Sequence, residues 1–314
     1  MKIAALAGGI GAGKFLRGLV RAVPPDDVTV IVNTGDDVRM HGLRVCPDLD
    51  SVTYWLGDVF DRDRGWGRRD ETFRANEELR AFGASDAWFN LGDLDLATHL
   101  FRTVLLTDGA PLSDVTRQVT ERFGVRVRIL PMTDDPVETR IDAIDANGRM
   151  LDLHFQEYWV RRRAADDVKT VRFEGAARAR PAPGVLEAVA SADAVLLCPS
   201  NPVVSIGPIL AVPGMREAVA ARRTAVVGVS PIVAGAPLAG MADRLMPAVG
   251  LEVTAAGAAG AYPGLLGGWV IDERDRGLAA RVEAAGVRVA VTDTVMTGDD
   301  VAEALAVTAL GLLG

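Results

Sequence analysis

Aspartates form the clearest chemical pattern in this chain. They occur as three close pairs, which are Asp36 and Asp37, Asp48 and Asp50, and Asp93 and Asp95. Carboxylates grouped near strand ends are common anchors for Mg²⁺, a hard cation that prefers oxygen ligands. A magnesium ion in such a place favours phosphoryl chemistry, because it neutralises charge on phosphate oxygens.

Each aspartate also has an ordinary structural explanation. Asp50 and Asp95 would cap the helices expected after them, and Asp36 would form a turn. For any single aspartate the structural role is the more frequent one. The set as a whole favours function.

A glycine-rich loop near the start of the chain predicts the second part of the site. Residues 3–7 read as a buried strand, and a helix is expected to start near Lys14. Between them lie Gly8, Gly9, Gly11 and Gly13. Glycines let backbone N–H groups crowd around an anion at a helix N-terminus, so the loop predicts a phosphate site. The alternative is a turn that serves only chain reversal.

The glycine loop departs from two familiar nucleotide-binding patterns. Gly8, Gly13 and Lys14 fit the G-x-x-x-x-G-K part of a Walker A loop, but Phe15 replaces the expected Ser or Thr. The spacing of Gly9, Gly11 and Gly13 is G-x-G-x-G, which is not the Rossmann dinucleotide fingerprint. We therefore expect a phosphate site of another lineage.

A proline-stiffened loop predicts a second grip on a phosphate or nucleotide. Residues 199–209 read PSNPVVSIGPI and follow a buried apolar run. Ser200, Asn201 and Ser205 offer hydroxyl and amide groups beside backbone donors. A rigid crossover with no ligand is the structural alternative.

The elements that must position these loops predict an α/β fold with a Rossmann-like, mostly parallel sheet. β-Branched and apolar runs recur at both ends of the chain, with helical patterns between them, and polar residues follow the runs. Ligands bind at the carboxyl ends of such strands. We assign residues 1–48 and 166–314 to this core and residues 49–165 to a mainly helical insertion that caps the site.

The amino-acid composition restricts the classes of molecule that the protein is expected to bind and the compartment in which it is expected to work. The net charge of −8 argues against nucleic acid, because affinity for a phosphate backbone needs clustered Lys and Arg. The two cysteines fit no disulfide framework, which favours a reducing cytoplasm. No signal peptide or membrane span is expected. The basic cluster Arg161–Arg163 reads as a solvated helix face, with anion binding as the less frequent use.

Taken together, the motifs resemble the 2-phospho-L-lactate transferase family (CofD in archaea, FbiA in actinobacteria) of coenzyme F(420) biosynthesis, over nearly the whole chain. The carrying segments are Gly8–Gly11, Asn33–Asp37, Met40–Gly42, Cys46–Asp50, Arg64–Gly67, Leu91–His99, His154–Trp159, Pro199–Ile209 and Gly240–Ala242. The resemblance implies a homodimer with Mg²⁺ as cofactor. It implies that a ribityl hydroxyl of the deazaflavin Fo attacks a GDP-linked three-carbon acid, which an upstream guanylyltransferase supplies, and that GMP leaves.

The resemblance also implies roles for individual residues. Asp36, Asp37, Asp48 and Asp50 would surround the metal, and Asp48 and Asp50 are the catalytic candidates. Asp50 would contact Fo and orient or deprotonate its hydroxyl; an Asp50→Asn variant is expected to lose turnover and keep its fold. The donor-binding candidates are Gly8, Gly9, Gly11, Gly13, Lys14, Asn33, Ser200, Asn201 and Ser205. Asn90 would contact Fo.

Two positions depart from the family pattern. Leu94 stands where the family often has an arginine, in L-G-D-R-D, and Asn90 stands where archaeal relatives are commonly basic. An anion contact that the family makes through this arginine must therefore come from another residue of this chain.

Two other classes of protein compete with the transferase. Regulators of the gluconeogenesis-factor type, which bind nucleotide sugars, share the glycine loop and the proline-rich loop. An NAD-dependent oxidoreductase is the third candidate, and the broken dinucleotide fingerprint disfavours it. The donor acid stays open among phosphoenolpyruvate, 2-phospholactate and 3-phosphoglycerate, and the Met40–Gly42 and Cys46-Pro47 variants favour phosphoenolpyruvate.

Overall fold

Seven parallel strands form the central sheet of the computed structural model, which describes residues 1–313. The seven are β1 (Ile3–Ala7), β2 (Val28–Val32), β5 (Arg128–Pro131), β9 (Ala194–Leu197), β10 (Val226–Val229), β13 (Gly268–Asp272) and β14 (Arg288–Thr292). Smaller sheets contain β3 (Val38–Met40), β4 (Leu43–Val45), β6 (Glu138–Ile144), β7 (Met150–His154), β8 (Asp167–Glu174), β11 (Ile232–Val233) and β12 (Ala236–Pro237). The predicted α/β, Rossmann-like fold is confirmed.

Helices cover both faces of this sheet and build the wall above it. They are α1 (Gly9–Ala22), α2 (Pro47–Leu56), α3 (Arg74–Ala81), α4 (Asp93–Thr107), α5 (Leu112–Arg122), α6 (Val185–Ser191), α7 (Ile206–Ala211), α8 (Met215–Ala221), α9 (Ala242–Ala248), α10 (Ala255–Ala259), α11 (Ala279–Glu283) and α12 (Asp299–Gly311). Helix α1 begins at Gly9, five residues before the predicted start near Lys14. Within residues 1–313, no helix has both the length and the apolar character to cross a membrane.

The order of the strands reverses at the middle of the sheet. The order is β14-β13-β10-β9-β1-β2-β5, so the chain winds outward from β1 in one direction and from β9 in the other. Such a reversal leaves a crevice at the carboxyl ends of the two central strands, because their following loops diverge. The glycine loop follows β1 and the proline-stiffened loop follows β9, so both predicted phosphate loops border this crevice.

Alternation along the strands sends side chains into two separate cores. In β1, Ala4 and Leu6 pack into the core on one face, and Ile3, Ala5 and Ala7 pack into the core on the other. All five are buried. Successive side chains of a strand point to opposite faces, so a strand covered on both sides must be apolar throughout.

The structure moves both limits of the predicted insertion at residues 49–165. Strand β5 lies inside that range, yet it pairs in parallel with β2 at the edge of the main sheet. Strand β8 lies in the range assigned to the core, yet it pairs antiparallel with β6 in a separate three-stranded sheet, β7-β6-β8. A short apolar run shows that a strand exists but not which strand it pairs with.

A tight hairpin carries the Met40–Gly42 motif to the edge of the site. Strands β3 and β4 pair antiparallel with Met40 opposite Leu43, which leaves a two-residue turn of His41 and Gly42. Both turn residues have positive φ, 52° and 79°, as a hairpin turn of the type I′ kind requires. The hairpin brings Asp37 and Cys46, at its two open ends, within hydrogen-bond distance of each other.

Close packing of α1 against α12 depends on one glycine. A Cβ atom added at Gly18 would lie 2.1 Å from the carbonyl carbon of Ala302, which is backbone and cannot turn aside. We expect Gly18→Ala to lower the free energy of unfolding by about 1–3 kcal/mol, the usual cost of overpacking. Gly311→Ala is the matched control, because nothing lies within 4 Å of its added Cβ. Urea unfolding of both variants tests this; equal stabilities would contradict it.

Candidate functional site

A cavity of about 1120 Å³ opens at the carboxyl ends of the central strands. It brings together most of the residues predicted from the sequence. Those in its lining are Gly8, Gly9, Gly11, Lys14, Asp36, Asp48, Asp50, Asn90, Ser200, Asn201 and Ser205. Asn33, Asp37 and Gly13 lie outside this lining.

Ser200 ties the two central loops together. Its hydroxyl oxygen accepts a hydrogen bond from the Gly8 amide at 3.2 Å and donates one to the Gly8 carbonyl at 2.8 Å. Asn201 shapes the rest of its loop, since its side-chain oxygen accepts from the amides of Val203 and Val204. The two predicted phosphate loops therefore form one joined wall.

Most glycines of the first loop are required because neighbouring atoms approach their backbone closely. A Cβ atom at Gly8 would lie 2.6 Å from a carboxylate oxygen of Asp48, and one at Gly11 would lie 2.3 Å from the carbonyl oxygen of Pro199. Gly9 has a φ of 73°, which favours glycine. Gly13 is different: its added Cβ would lie 2.3 Å from the indole of Trp55, so this glycine serves helix packing and lies outside the cavity lining.

Asn33 holds one carboxylate of the cavity in place. Its side-chain amide donates to Asp48 Oδ2 at 2.9 Å and to the carbonyl of Val204 at 3.2 Å, and its oxygen accepts from the amide of Gly35. Asn33 is fully buried. It is therefore a positioning residue that links the end of β2 to α2 and to the loop after β9.

Asp36 and Asp48 form a buried acidic pair beside the glycine loop. Burial raises the pKa of Asp48 to about 7, although the hydrogen bond from Asn33 lowers it. Burial and then the charge of Asp48 raise the pKa of Asp36 well above its usual value. Oδ1 of Asp36 is buried and has no hydrogen-bond partner. The pair lacks a cation among the protein side chains.

These two carboxylates fit a magnesium ion that also binds substrate phosphates. Mg²⁺ is commonly held by one or two carboxylates plus phosphate oxygens and water. Among residues 1–313 no three His, Cys, Asp or Glu side chains come together as a metal-binding group. In a site of that kind Asp36 and Asp48 would be the protein's ligands, and a bound phosphate and water would supply the remaining oxygens.

Arginines engage the other two aspartates of the predicted metal set. Asp37 accepts from Arg44 at 3.1 Å and lies outside the cavity lining. Asp50 is held at both oxygens by the guanidinium of Arg102, which is itself buried. A carboxylate held in this way already has its counter-ion. The structure thus separates Asp37 and Asp50 from the acidic pair.

Asp93 and Asp95 have different environments. Asp93 accepts hydrogen bonds from the amides of Arg74 and Ala75, so it caps α3, the kind of structural role that single aspartates often have. Asp95 was expected to cap α4, but it lies buried in the cavity wall and accepts from the hydroxyl of Tyr54 at 2.6 Å. Burial raises the pKa of Asp95 to about 7.

His99 completes the polar cluster below Asp95. Its Nδ1 lies 3.1 Å from the guanidinium of Arg102, and its Nε2 is buried without a hydrogen-bond partner. Burial lowers the pKa of His99 to about 4, so the imidazole is neutral near pH 7. Tyr54 and Arg102 were not found from the sequence, because isolated residues within helices form no motif.

Aromatic side chains form part of the cavity lining. They are Trp66, Trp88, Phe89, Phe155 and Trp159. Trp55 packs instead on Phe60 with ring centroids 4.6 Å apart, within a buried cluster. Asn90 lies in the same wall as the aromatic residues and accepts a hydrogen bond from Asn76. A planar ring with polar edges fits such a surface.

The doubly wound sheet and the joined glycine and proline-rich loops define a Rossmann-like protein with a cavity at its strand reversal, where proteins of this fold bind their ligands. The chain belongs to the CofD family: the family model described as 2-phospho-L-lactate transferase CofD matches residues 3–308. This membership places it among transferase enzymes.

Curated relatives resemble the chain over its whole length. The phosphoenolpyruvate transferase of Streptomyces griseus is 53% identical over 313 residues, which cover 99% of this chain and 98% of the relative. The phosphoenolpyruvate transferase of Mycolicibacterium smegmatis is 44% identical over 329 residues, with 100% and 99% covered.

A solved structure shares the fold. It is the crystal structure of a UPF0052 family member from Bacillus halodurans, with a TM-score of 0.63 and 18% sequence identity. The match covers 98% of this chain and 99% of that one. At this identity the likeness shows the fold alone.

The buried pair of Asp50 and Arg102 revises the expectation that Asp50→Asn keeps its fold. We expect Asp50→Asn to lower the free energy of unfolding by about 3–5 kcal/mol, because it leaves a buried guanidinium without its counter-ion. Adding Arg102→Gln should recover a large part of this loss. Urea unfolding of Asp50→Asn, of Arg102→Gln and of the double variant measures the coupling free energy between the two side chains. The exposed pair of Arg117 and Glu121 is the control, with an expected coupling under about 1 kcal/mol; equal couplings would refute the assignment.

Asp95 makes the stability of the protein depend on pH. Its pKa is about 7 in the folded state against an ordinary 3.8, so folding is penalised as pH rises from about 4 through 7. We expect Asp95→Asn to be more stable than the parent by about 2 kcal/mol at pH 8, with little difference at pH 4. Urea unfolding across this range tests it, with exposed Asp70→Asn as control. A pH-independent difference would contradict the assignment.

Proposed function

We propose that this protein transfers a phosphoenolpyruvyl group, or a 2-phospholactyl group, from a GDP-activated donor to the ribityl hydroxyl of the deazaflavin Fo, in coenzyme F(420) biosynthesis. The hydroxyl oxygen attacks the phosphorus next to the three-carbon acid, the bond from that phosphorus to the GMP oxygen breaks, and GMP leaves. The observation that carries the proposal is one cavity whose lining contains both the glycine and proline-rich loops and a set of aromatic side chains.

The glycine loop and the acidic pair in the cavity lining suit a nucleoside diphosphate. Gly8, Gly9 and Gly11 bring the backbone at the start of α1 to the cavity surface, and Lys14 adds a positive charge. Asp36 and Asp48 would hold Mg²⁺ against the diphosphate oxygens. The ion would neutralise the charge that develops on the transferred phosphorus group and on the leaving GMP.

The aromatic side chains of the lining suit a deazaflavin ring. Trp66, Trp88 and Phe89 offer faces and edges for stacking, and Asn90 offers an amide to a polar ring edge. This aromatic surface favours the transferase over a nucleotide-sugar-binding regulator, because the deazaflavin is a planar ring that stacks on it. The Streptomyces and Mycolicibacterium relatives are named phosphoenolpyruvate transferase, which supports phosphoenolpyruvate as the acid of the donor.

Two carboxylates of the cavity are candidates to handle the proton of the attacking hydroxyl. Asp50 is held at both oxygens by Arg102, which suits it to orient the hydroxyl by accepting a hydrogen bond. Burial raises the pKa of Asp95 to about 7, and its Oδ2 lies near Gly67, which follows Trp66 of the cavity lining. A general base acts best when its pKa is close to the working pH, so we assign proton acceptance to Asp95.

Other parts of the proposal rest on the sequence alone. A homodimer, a cytoplasmic location and supply of the donor by a guanylyltransferase stay predictions. Cys46 and Cys198 are both free and buried.

The test is a reconstituted transfer reaction. The purified protein is incubated with Fo, GTP, Mg²⁺ and an active guanylyltransferase, with each three-carbon acid in turn, and products are followed by liquid chromatography and mass spectrometry. We expect a phosphodiester of Fo together with GMP. Asp48→Asn and Asp95→Asn should each lower kcat at least about 100-fold, while exposed Asp70→Asn keeps the parent rate. No product with any acid would refute the transferase and favour the regulator.

A further inference from the structure

The three consecutive arginines at 161–163 have different surroundings. Arg161 pairs with Glu157 at 3.4 Å, and Arg162 pairs with Asp166 at 2.7 Å. These two arginines line a separate surface depression of about 420 Å³. Arg163 lines the main cavity, and among residues 1–313 its side chain makes no hydrogen bond or ion pair. Arg163 is exposed, so one guanidinium of the cluster borders the cavity without a partner from the described part of the protein.

The backbone places Arg163 in the cavity at an energetic cost. A π-helical turn at Glu157–Arg161 precedes it, and Arg163 and Ala164 then have φ values of 55° and 50°. Residues other than glycine are strained in this region, and they persist where the surroundings impose them. Ala164 is buried, and its amide donates to the carbonyl of Tyr158 at 2.9 Å. Turns of this kind are frequent at functional sites.

The charges of the cavity leave one role for this guanidinium. Lys14 and Arg163 are the lysine and arginine side chains in its lining, against the carboxylates of Asp36, Asp48, Asp50 and Asp95. The proposed donor carries a diphosphate and a carboxylate. Lys14 and the start of α1 serve the diphosphate. The carboxylate of the three-carbon acid is the anion that remains, and Arg163 is the cation that remains.

We propose that Arg163 binds the carboxylate of the three-carbon acid in the donor and so determines specificity for acids over neutral groups. This inference rests on the proposed function. A guanidinium matches a carboxylate with two parallel hydrogen bonds, and a lysine at the same place offers only a point charge. The cluster that reads from the sequence as a solvated face thus supplies a binding residue.

A pair of ligands that differ only in the carboxylate tests the proposal. One is GDP esterified on its β-phosphate to the 2-hydroxyl of lactate, and the other is GDP esterified to 2-propanol. Free GDP is the third probe. Each is titrated calorimetrically, with Mg²⁺ present, into the parent protein, Arg163→Gln, Arg163→Lys and Arg149→Gln. Arg149 is the matched control, because it is exposed and lies outside the cavity lining.

We expect Arg163→Gln to weaken binding of the lactate compound 10- to 100-fold and to change binding of the other two ligands less than threefold. Arg163→Lys should recover part of the loss, and Arg149→Gln should bind all three as the parent does. Thermal unfolding of each variant shows whether a loss reflects the fold.

Two results would overturn the inference while leaving the proposed function intact. Equal losses for all three ligands would place Arg163 on the diphosphate or guanosine, and no loss for any ligand would place it outside the binding site. Failure of the parent protein itself to bind GDP or either ester would refute the proposed donor, and with it this inference.

Discussion

The site depends on the reversal of strand order between β1 and β9. The two central strands lie side by side, yet the chain leaves them in opposite directions, so nothing of the sheet's own connections fills the space above them. Ser200 joins the two loops at this point by hydrogen bonds to both backbone groups of Gly8. The joined loops line one cavity together with the acidic pair and the aromatic side chains.

The cavity carries more negative charge than its protein surroundings balance. Asp36, Asp48 and Asp95 have raised pKa values because they are buried, and none of them has the paired arginine that Asp50 has. Carboxylates buried without counter-ions reduce the stability of the folded protein near neutral pH. Under the proposed function, a cation bound together with an anionic substrate would relieve this penalty.

Sequence reasoning found the residues whose neighbours in the chain form a pattern. The glycine loop, the aspartate pairs and the proline-rich loop are each local in sequence, and each contributes at least one residue to the cavity lining. Tyr54 and Arg102 were missed as site residues because their partners are distant in sequence. Arg102 is 52 residues from Asp50, and no local spacing indicates that a guanidinium in α4 will hold a carboxylate in α2.

The sequence by itself determined the fold class, the strands of the sheet and the types of chemistry available, because alternation, glycine content and grouped carboxylates act over a few residues. The tertiary structure decided which groups share an environment. It paired β5 with β2 and β8 with β6, separated Asp37 and Asp50 from the acidic pair, and left Arg163 without a partner in the cavity. Burial and charge pairing depend on contacts between distant segments, and these exist only once the sheet has brought the strand ends together.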